Sequence, residues 1–128
     1  MSEEKIILVC DDDEIFRTFL LRVLKSSGLN AIAAVGGDEA MEVLDRDGQS
    51  IALMLVDLVM PMRSGWEVID YAKKRHELAK IPVIAITGLA PDPEALEKVE
   101  KQCVALVHKG GNFDVDALLT KIKALLQL

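Results

Sequence analysis

Short apolar runs recur along the chain without regular polar alternation between them. Runs of this kind are typical of strands in a parallel sheet that helices cover on both faces. Four runs are clear, and a fifth is weaker because alanine dominates it. We predict the clear strands at residues 6–10, 51–56, 82–87 and 104–107, and the weaker one at 30–35.

Amphipathic segments separate these runs, with apolar residues at the spacing of one helix face. Asp13 and Asp38 stand where an N-terminal cap is expected. Asp92 is a third such cap, and Pro93 after it suits the first helical position. Gly28 stands where a helix would end. We predict helices at residues 14–27, 38–46, 64–76, 94–101 and 114–126.

Strand and helix therefore alternate five times along the chain. Parallel strands joined by right-handed helical crossovers give a three-layer, doubly wound α/β sandwich around a five-stranded sheet. We see no internal linker, repeat or low-complexity tract, and 128 residues leave no room for a second domain of ordinary size. We expect one (βα)5 domain over residues 1–128.

The composition excludes several classes of protein. Hydrophobic residues make up 51% of the chain, its formal net charge is −6, and it has two cysteines. Disordered, collagen-like and disulfide-dense chains do not have this composition. We expect no nucleic-acid partner, since an acidic chain repels phosphates.

The chain also lacks the signals that would direct it to a membrane. Residues 1–10 have neither the positive start nor the long apolar core of a signal peptide. No apolar run approaches the ~18 residues that a membrane span requires. We therefore expect no membrane partner, and a cytoplasmic protein in a reducing compartment.

Polar residues follow the predicted strands at the sheet edge where such folds bind ligands. Clustered carboxylates repel one another unless a cation joins them, and an all-oxygen set suits Mg²⁺ better than zinc. An aspartate is also a nucleophile toward phosphorus, while lysine and threonine suit phosphoryl oxygens. The pattern predicts phosphoryl transfer onto an aspartate with Mg²⁺. The residues concerned are Asp11, Asp12, Asp57, Thr87 and Lys109.

Each of these residues has a structural alternative when it is taken singly. Asp13 is most simply a helix cap, and Asp57 begins a loop after an apolar strand. Threonine is common at strand ends, as at Thr87, and Lys109 could be a surface lysine. His108 is structural or solvated, since the sequence shows no nucleophile partner for it. The joint occurrence of polar residues at four strand ends favours a functional site.

Four segments carry a family resemblance. They are ILVCDDDE at 7–14, LVDLVMPMRSGWEVI at 55–69, PVIAITG at 82–88 and VHKG at 107–110. The string from Asp57 through Met60-Pro61 to Gly65 is highly specific when an acidic pair follows the first strand. Over about residues 5–126 the chain resembles a response regulator receiver domain, the phospho-accepting module of two-component signalling. This resemblance implies the strand order 2-1-3-4-5.

The resemblance also implies a role for each residue. Asp57 would accept a phosphoryl group from a histidine kinase or a histidine phosphotransfer protein, and Thr87 and Lys109 would meet its oxygens. The modified domain would then act on a downstream protein target or a fused output domain. It would hydrolyse its own acyl phosphate, so the activity is self-directed. The family's Mg²⁺ ligands correspond to Asp57, Asp12, Asp11 through a metal-bound water, and the backbone carbonyl of Val59.

Three departures from the family pattern affect these expectations. Gly110 follows Lys109 where the family usually has a cis proline, so we expect a trans bond and a looser lysine. Leu106 stands at a usually aromatic position, which leaves the family's threonine–aromatic switch incomplete. Apolar Val59 and Leu89 flank the acceptor at positions that tune water access, which predicts slow self-dephosphorylation.

Two other functions stay open at this point. A receiver fold that no longer switches would serve as a protein-interaction scaffold, although the complete set of acids argues against that. A small flavodoxin-like or hydrolase enzyme would act on a separate substrate. The sequence disfavours such an enzyme because it has no GxxxxGK[ST], GxGxxG or GxSxG motif.

Overall fold

Five strands and five α-helices alternate in the computed structural model, which describes residues 5–90, 92–111 and 113–128. All ten predicted elements are present, most with ends within one or two residues of the prediction. The strands are β1 (Ile6–Cys10), β2 (Asn30–Ala34), β3 (Ile51–Asp57), β4 (Val83–Thr87) and β5 (Ala105–His108). The helices are α1 (Glu14–Ser26), α2 (Gly37–Asp47), α3 (Gly65–Lys73), α4 (Pro93–Gln102) and α5 (Val115–Leu126).

The strands form one parallel sheet in the order β2-β1-β3-β4-β5. Val9 in β1 pairs with Ala33 on one side and with Leu55 on the other. Because β1 and β3 are neighbours at the centre of the sheet, the loops that leave their carboxyl ends lie side by side. The predicted doubly wound fold and its strand order are confirmed.

Successive residues of the central strands face opposite sides of the sheet, and each side has its own core. Val9 and Leu55 pack on the side of α1 and α5, together with Leu20, Leu24, Leu118 and Ile122. Cys10 and Val56 pack on the side of α2, α3 and α4, together with Val43, Leu44, Val68, Ile69 and Val99. Both faces of the strands are therefore buried, which explains their continuous apolar sequences.

Side chains cap most of the helices, and the caps at Asp13 and Asp92 are those that the sequence predicts. The Asp13 carboxylate accepts hydrogen bonds from two backbone N–H groups of the first turn of α1. Asp92 caps α4, which has proline in its first turn, and Gly28 follows α1 with φ +80°. Ser64 and Glu67 form a reciprocal capping box at the start of α3. These caps define the points at which the loops of the sheet edge turn into helices.

The predicted Asp38 cap is wrong. Helix α2 begins one residue earlier, at Gly37, and its cap residue Gly36 makes no side-chain hydrogen bond. Asp38 lies in the first turn instead, where its negative charge still favours the helix dipole. Its carboxylate accepts a hydrogen bond from Arg63 Nε at 2.6 Å, which ties α2 to the loop between β3 and α3.

Helix α4 packs more lightly than the other helices. Its single buried residue is Val99, whereas α3 buries four residues, although α3 is the shorter helix. The Lys98 ammonium lies 4.4 Å from the centre of the Trp66 ring on α3, which adds a cation–π contact. None of the described helices is long and apolar enough to cross a membrane.

Gly65 allows α3 to begin against the end of β3. A Cβ atom at this position would overlap the backbone carbonyl of Asp57. We expect Gly65→Ala to lower the free energy of unfolding by about 3 kcal/mol, because backbone rather than a flexible side chain has to move. Gly111→Ala is the matched control, since a Cβ there meets open space. Equal urea unfolding midpoints for the two variants would contradict this account.

Candidate functional site

The acidic pocket lies at the carboxyl ends of β1 and β3. Asp11 follows β1 directly, and Asp57 is the last residue of β3. Both are almost fully buried, with 0% and 3% of their surface exposed, while Asp12 is exposed. One carboxylate oxygen from each of the three residues lies within 4.8 Å of the others. The sheet order therefore brings together the acids that the sequence predicts to meet.

Lys109 lies between the two buried carboxylates. Its Nζ atom is 3.0 Å from Asp57 Oδ2, and 3.0 and 2.9 Å from the two oxygens of Asp11. It is also 3.9 Å from Asp13 Oδ2. Only 17% of the lysine side chain is exposed, so the alternative of a surface lysine is wrong.

The backbone beside Lys109 has the trans geometry that the sequence predicts. The described residues contain no cis peptide bond, so the bond to Gly110 is trans, as predicted. The backbone N–H of the lysine donates to the carbonyl of Thr87 at 2.9 Å, which ties the start of the loop to the end of β4. The looser placement expected from the missing proline stays a prediction.

Backbone N–H groups orient both buried carboxylates. Asp57 Oδ1 accepts a hydrogen bond from the N–H of Val59 at 3.0 Å. Asp11 Oδ1 accepts one from the N–H of Asp13 at 2.9 Å. Each aspartate thus bonds to the backbone two residues further on, which fixes its rotamer and the turn that follows the strand.

Burial and neighbouring charges shift the proton affinities in the pocket. Burial, together with the charge of Asp57, raises the pKa of Asp11 to about 6, against the opposing hydrogen bonds from Asp13 and Lys109. Burial lowers the pKa of Lys109, but hydrogen bonds to Asp11 and Asp57 outweigh it, so the net pKa is raised. Burial, with the charge of Asp11, raises the pKa of Cys10 to about 12, which makes it an inert core thiol.

The donor set fits a hard divalent cation. The buried Oδ2 atom of Asp11 accepts no aligned hydrogen bond, although the Lys109 ammonium lies 2.9 Å from it as an ion partner. Buried carboxylates are costly unless cations balance their charge, and a single ammonium faces both Asp11 and Asp57. Three carboxylates with only oxygen donors suit Mg²⁺, which keeps several waters and takes few protein ligands.

Thr87 lies at the same sheet edge, but its hydroxyl is bonded within its own loop. The residue is 3% exposed, and β4 lies next to β3, with Asp57 paired to Ile86. Its Oγ1 atom accepts a hydrogen bond from the N–H of Leu89 and donates one to the Leu89 carbonyl, both at 3.1 Å. Val59 and Leu89, which flank the acceptor, are exposed residues, at 56% and 63%.

Two neighbours of the site were not predicted as site residues. The Lys109 ammonium lies 5.0 Å from the ring centre of Phe16, an apolar residue of α1. Arg17 Nη1 donates a hydrogen bond to the backbone carbonyl of Asp11 at 2.9 Å. Their position in the sequence could have indicated this role, because both lie in the first turns of a helix that begins directly after the acids.

The fold and the pocket agree with a known family. The sequence model of one protein family, the response regulator receiver domain, matches residues 7–123. The chain belongs to this family. The receiver domain is 33% identical over 121 residues to response regulator RR06 of Streptococcus pneumoniae, covering 94% of this chain and 52% of that protein. It is 32% identical over 123 residues to the CAI-1 autoinducer sensor kinase/phosphatase CqsS of Vibrio cholerae, covering 94% of this chain and 17% of that protein.

A solved structure supports the same assignment. The response regulator protein TrrA of Thermotoga maritima, in complex with Mg²⁺-BeF, superposes on the receiver domain with a TM-score of 0.78. The two are 29% identical, and the match covers 94% of this chain and 98% of that one. The predicted resemblance is confirmed, and the homology is consistent with phosphoryl acceptance in two-component signalling. The chain spans about half the length of RR06.

The raised pKa of Asp11 predicts a pH-dependent stability. Above pH 6 the folded state holds a buried charge that Asp11→Asn removes, so the variant is the more stable protein at pH 7.5 in EDTA. As the pH falls to 5, folded Asp11 takes up a proton before the unfolded chain does, and its charge penalty is lost. Between pH 7.5 and pH 5, we expect the difference in free energy of unfolding between Asp11→Asn and the wild type to narrow by roughly 1–2 kcal/mol. Urea titrations showing a difference that does not change with pH would contradict this.

Proposed function

We propose that the receiver domain accepts a phosphoryl group on Asp57 from the phosphohistidine of a histidine kinase or a histidine phosphotransfer protein. One observation carries the proposal: the Lys109 ammonium lies 3.0 Å from a buried Asp57 carboxylate at the sheet edge. A lysine placed there can meet a group that becomes bonded to Asp57. An ammonium also balances the negative charge that such a group brings into the pocket.

The transfer requires a nucleophile, a leaving group and hydrogen-bond donors for the phosphoryl oxygens. A carboxylate oxygen of Asp57 attacks phosphorus, and the new P–O bond forms as the P–N bond to the donor imidazole breaks. The electron pair of that bond leaves with the imidazole nitrogen. The hydrogen bond from the N–H of Val59 to Asp57 Oδ1 keeps the nucleophile in one orientation. Lys109 and Thr87 provide donors for the phosphoryl oxygens, and the activity remains self-directed.

We propose that Asp11, Asp12 and Asp57, with the backbone carbonyl of Val59, hold Mg²⁺ beside the acceptor. The close approach of the three carboxylates, two of which share a single lysine, supports this ligand set. When bound, the ion neutralises charge that accumulates between donor and acceptor oxygens. The chain's own contribution is to hold the ligands in place through the Asp13 and Val59 N–H groups.

Phosphorylation would be transmitted through Thr87. Its hydroxyl must leave the two hydrogen bonds to Leu89 before it can reach a phosphoryl oxygen. Those bonds hold the loop between β4 and α4, so releasing them changes the support of α4. Leu106, at the usually aromatic position of β5, is only half-buried. The movement of Thr87 would therefore change the surface at the loop and at α4. A downstream protein target or a fused output domain would recognise the changed surface.

The proposed domain is the whole of residues 1–128, although residues 1–4 lie outside the described part of the chain. A receiver fold that acts only as a scaffold remains the competing function. It would share the fold and the binding surfaces, but Asp57 would take up no phosphoryl group. The two functions therefore differ in one measurable reaction.

We expect Asp57→Asn to abolish phosphorylation by acetyl phosphate or phosphoramidate in the presence of Mg²⁺. The amide has the shape of the carboxylate but lacks the nucleophilic oxygen charge. Intact-protein mass spectrometry should show one added phosphoryl group on the wild type and none on the variant.

Asp116→Asn is the matched control, since Asp116 is an exposed acid in the first turn of α5. It should be labelled like the wild type. A wild type that gains no mass, or a variant that still gains it, would reject acceptance on Asp57 and favour the scaffold.

The exposed apolar side chains of Val59 and Leu89 predict a long-lived acyl phosphate. Neither side chain can orient a water molecule toward phosphorus, so we expect decay over minutes or longer. Leu89→Asn should shorten the lifetime, because its amide can hold such a water. Leu96→Asn, on the exposed side of α4, should not. A wild-type acyl phosphate that lasts only seconds in a direct decay assay would reject this prediction.

A further inference from the structure

All three phenylalanines of the chain meet beside the acidic pocket. Phe16 and Phe19 lie on α1, and Phe113 lies in the loop between β5 and α5. Their ring centres are 5.4 Å apart for Phe16 and Phe113, 6.1 Å for Phe19 and Phe113, and 6.4 Å for Phe16 and Phe19. The planes are tilted or edge-on, which is the favoured arrangement for aromatic pairs. We call this group the aromatic cluster.

The aromatic cluster presents one ring to the lysine of the pocket. The Lys109 ammonium lies 5.0 Å from the centre of the Phe16 ring, within the range of a cation–π contact. It also lies 2.9 to 3.0 Å from oxygens of Asp11 and Asp57. The ammonium is therefore bounded by carboxylates and by an aromatic ring, and little of its side chain reaches solvent.

The loop that carries Lys109 needs such an anchor. Gly110 and Gly111 follow the lysine, and Gly110 has φ +144°, a conformation that side chains rarely adopt. Two glycines in succession leave a backbone with high conformational entropy. The next anchor is Phe113, whose N–H bonds to the Gly110 carbonyl at 3.1 Å and whose ring packs on Phe16.

Phe16 is itself fixed relative to the acids. Its N–H donates to the Asp13 carboxylate at 3.3 Å in the cap of α1, two residues after Asp11. Arg17, next along the helix, bonds to the backbone carbonyl of Asp11. The ring therefore connects the glycine-containing lysine loop to the same helix start that positions the acidic pair.

We propose that Phe16, supported by Phe113, is a positioning residue for phosphoryl transfer, because its ring face holds the Lys109 ammonium in reach of Asp57. The inference rests on the proposed function of Lys109. In this chain the contact between Phe16 and Lys109 would restrain the lysine, as a proline after the lysine would otherwise do.

Substitutions at Phe16 separate the ring face from apolar bulk. Phe16→Leu keeps a large apolar side chain and removes the π face, whereas Phe16→Tyr keeps both. With Mg²⁺ and phosphoramidate, we expect Phe16→Leu to slow labelling of Asp57 about tenfold, within the range of one cation–π contact. Phe16→Tyr should restore the rate to nearly that of the wild type. Phe19→Leu is the matched control, since it alters the aromatic cluster while the ring that Lys109 faces is Phe16.

A double-mutant comparison tests whether Phe16 acts through the lysine. In a Lys109→Met background, Phe16→Leu should have no further effect on the labelling rate. If the ring only stabilised the fold, the same slowing would persist in that background. Persistent slowing, or a Phe16→Leu rate equal to that of the wild type, would overturn the proposal.

Proton NMR gives a readout that does not depend on phosphorylation. The Hε protons of Lys109 should be shifted upfield by the Phe16 ring current, and Phe16→Leu should abolish that shift while Phe16→Tyr keeps it. If the Hε chemical shifts of Lys109 were the same in Phe16→Leu as in the wild type, the proposal would be overturned, even if labelling slowed. This readout also decides the question if the Lys109→Met rates are too low to measure. If the wild type showed the shift but took up no phosphoryl group, the proposed function would fail while the aromatic contact stood.

Discussion

The structure depends on placing two like charges side by side at the centre of a parallel sheet. Asp11 and Asp57 meet because β1 and β3 are neighbours, and burial prevents either carboxylate from turning to water. Their repulsion is offset by Lys109 from the far strand and by one backbone N–H for each acid. A pocket held in this way favours ligands that bring positive charge, and a metal ion can then admit an anionic group.

Hydrophobic periodicity was sufficient to predict the elements of the fold. Continuous apolar strands require cover on both faces, and this single constraint predicted the three layers. Periodicity does not say which strands are neighbours, so the strand order came from the family resemblance. The prediction failed at the start of α2, which begins at Gly37 rather than at Asp38. The Asp38 carboxylate accepts a hydrogen bond from Arg63 outside the helix, a partner that the hydrophobic pattern does not reveal.

The candidate site was predictable in its residues but not in its contacts. Asp11, Asp57 and Lys109 could be assigned because each lies at or directly after the carboxyl end of a strand, and the sheet brings those ends together. The orientation of the Thr87 hydroxyl could not, since it depends on local competition between Leu89 and the pocket. Phe16 was missed for a related reason: a residue on an apolar helix stripe looks like core unless the position of the lysine is already known.

Helix α4 has a separate consequence for how the molecule can respond. A helix that places one side chain in the core loses little apolar burial when it rotates or frays. The sheet beneath it does not depend on α4 for its strand pairing, since β4 pairs with β3 and β5. We therefore expect α4 to rearrange locally without unfolding of this protein. Its surface can change shape there at a small fraction of the cost of melting the whole domain.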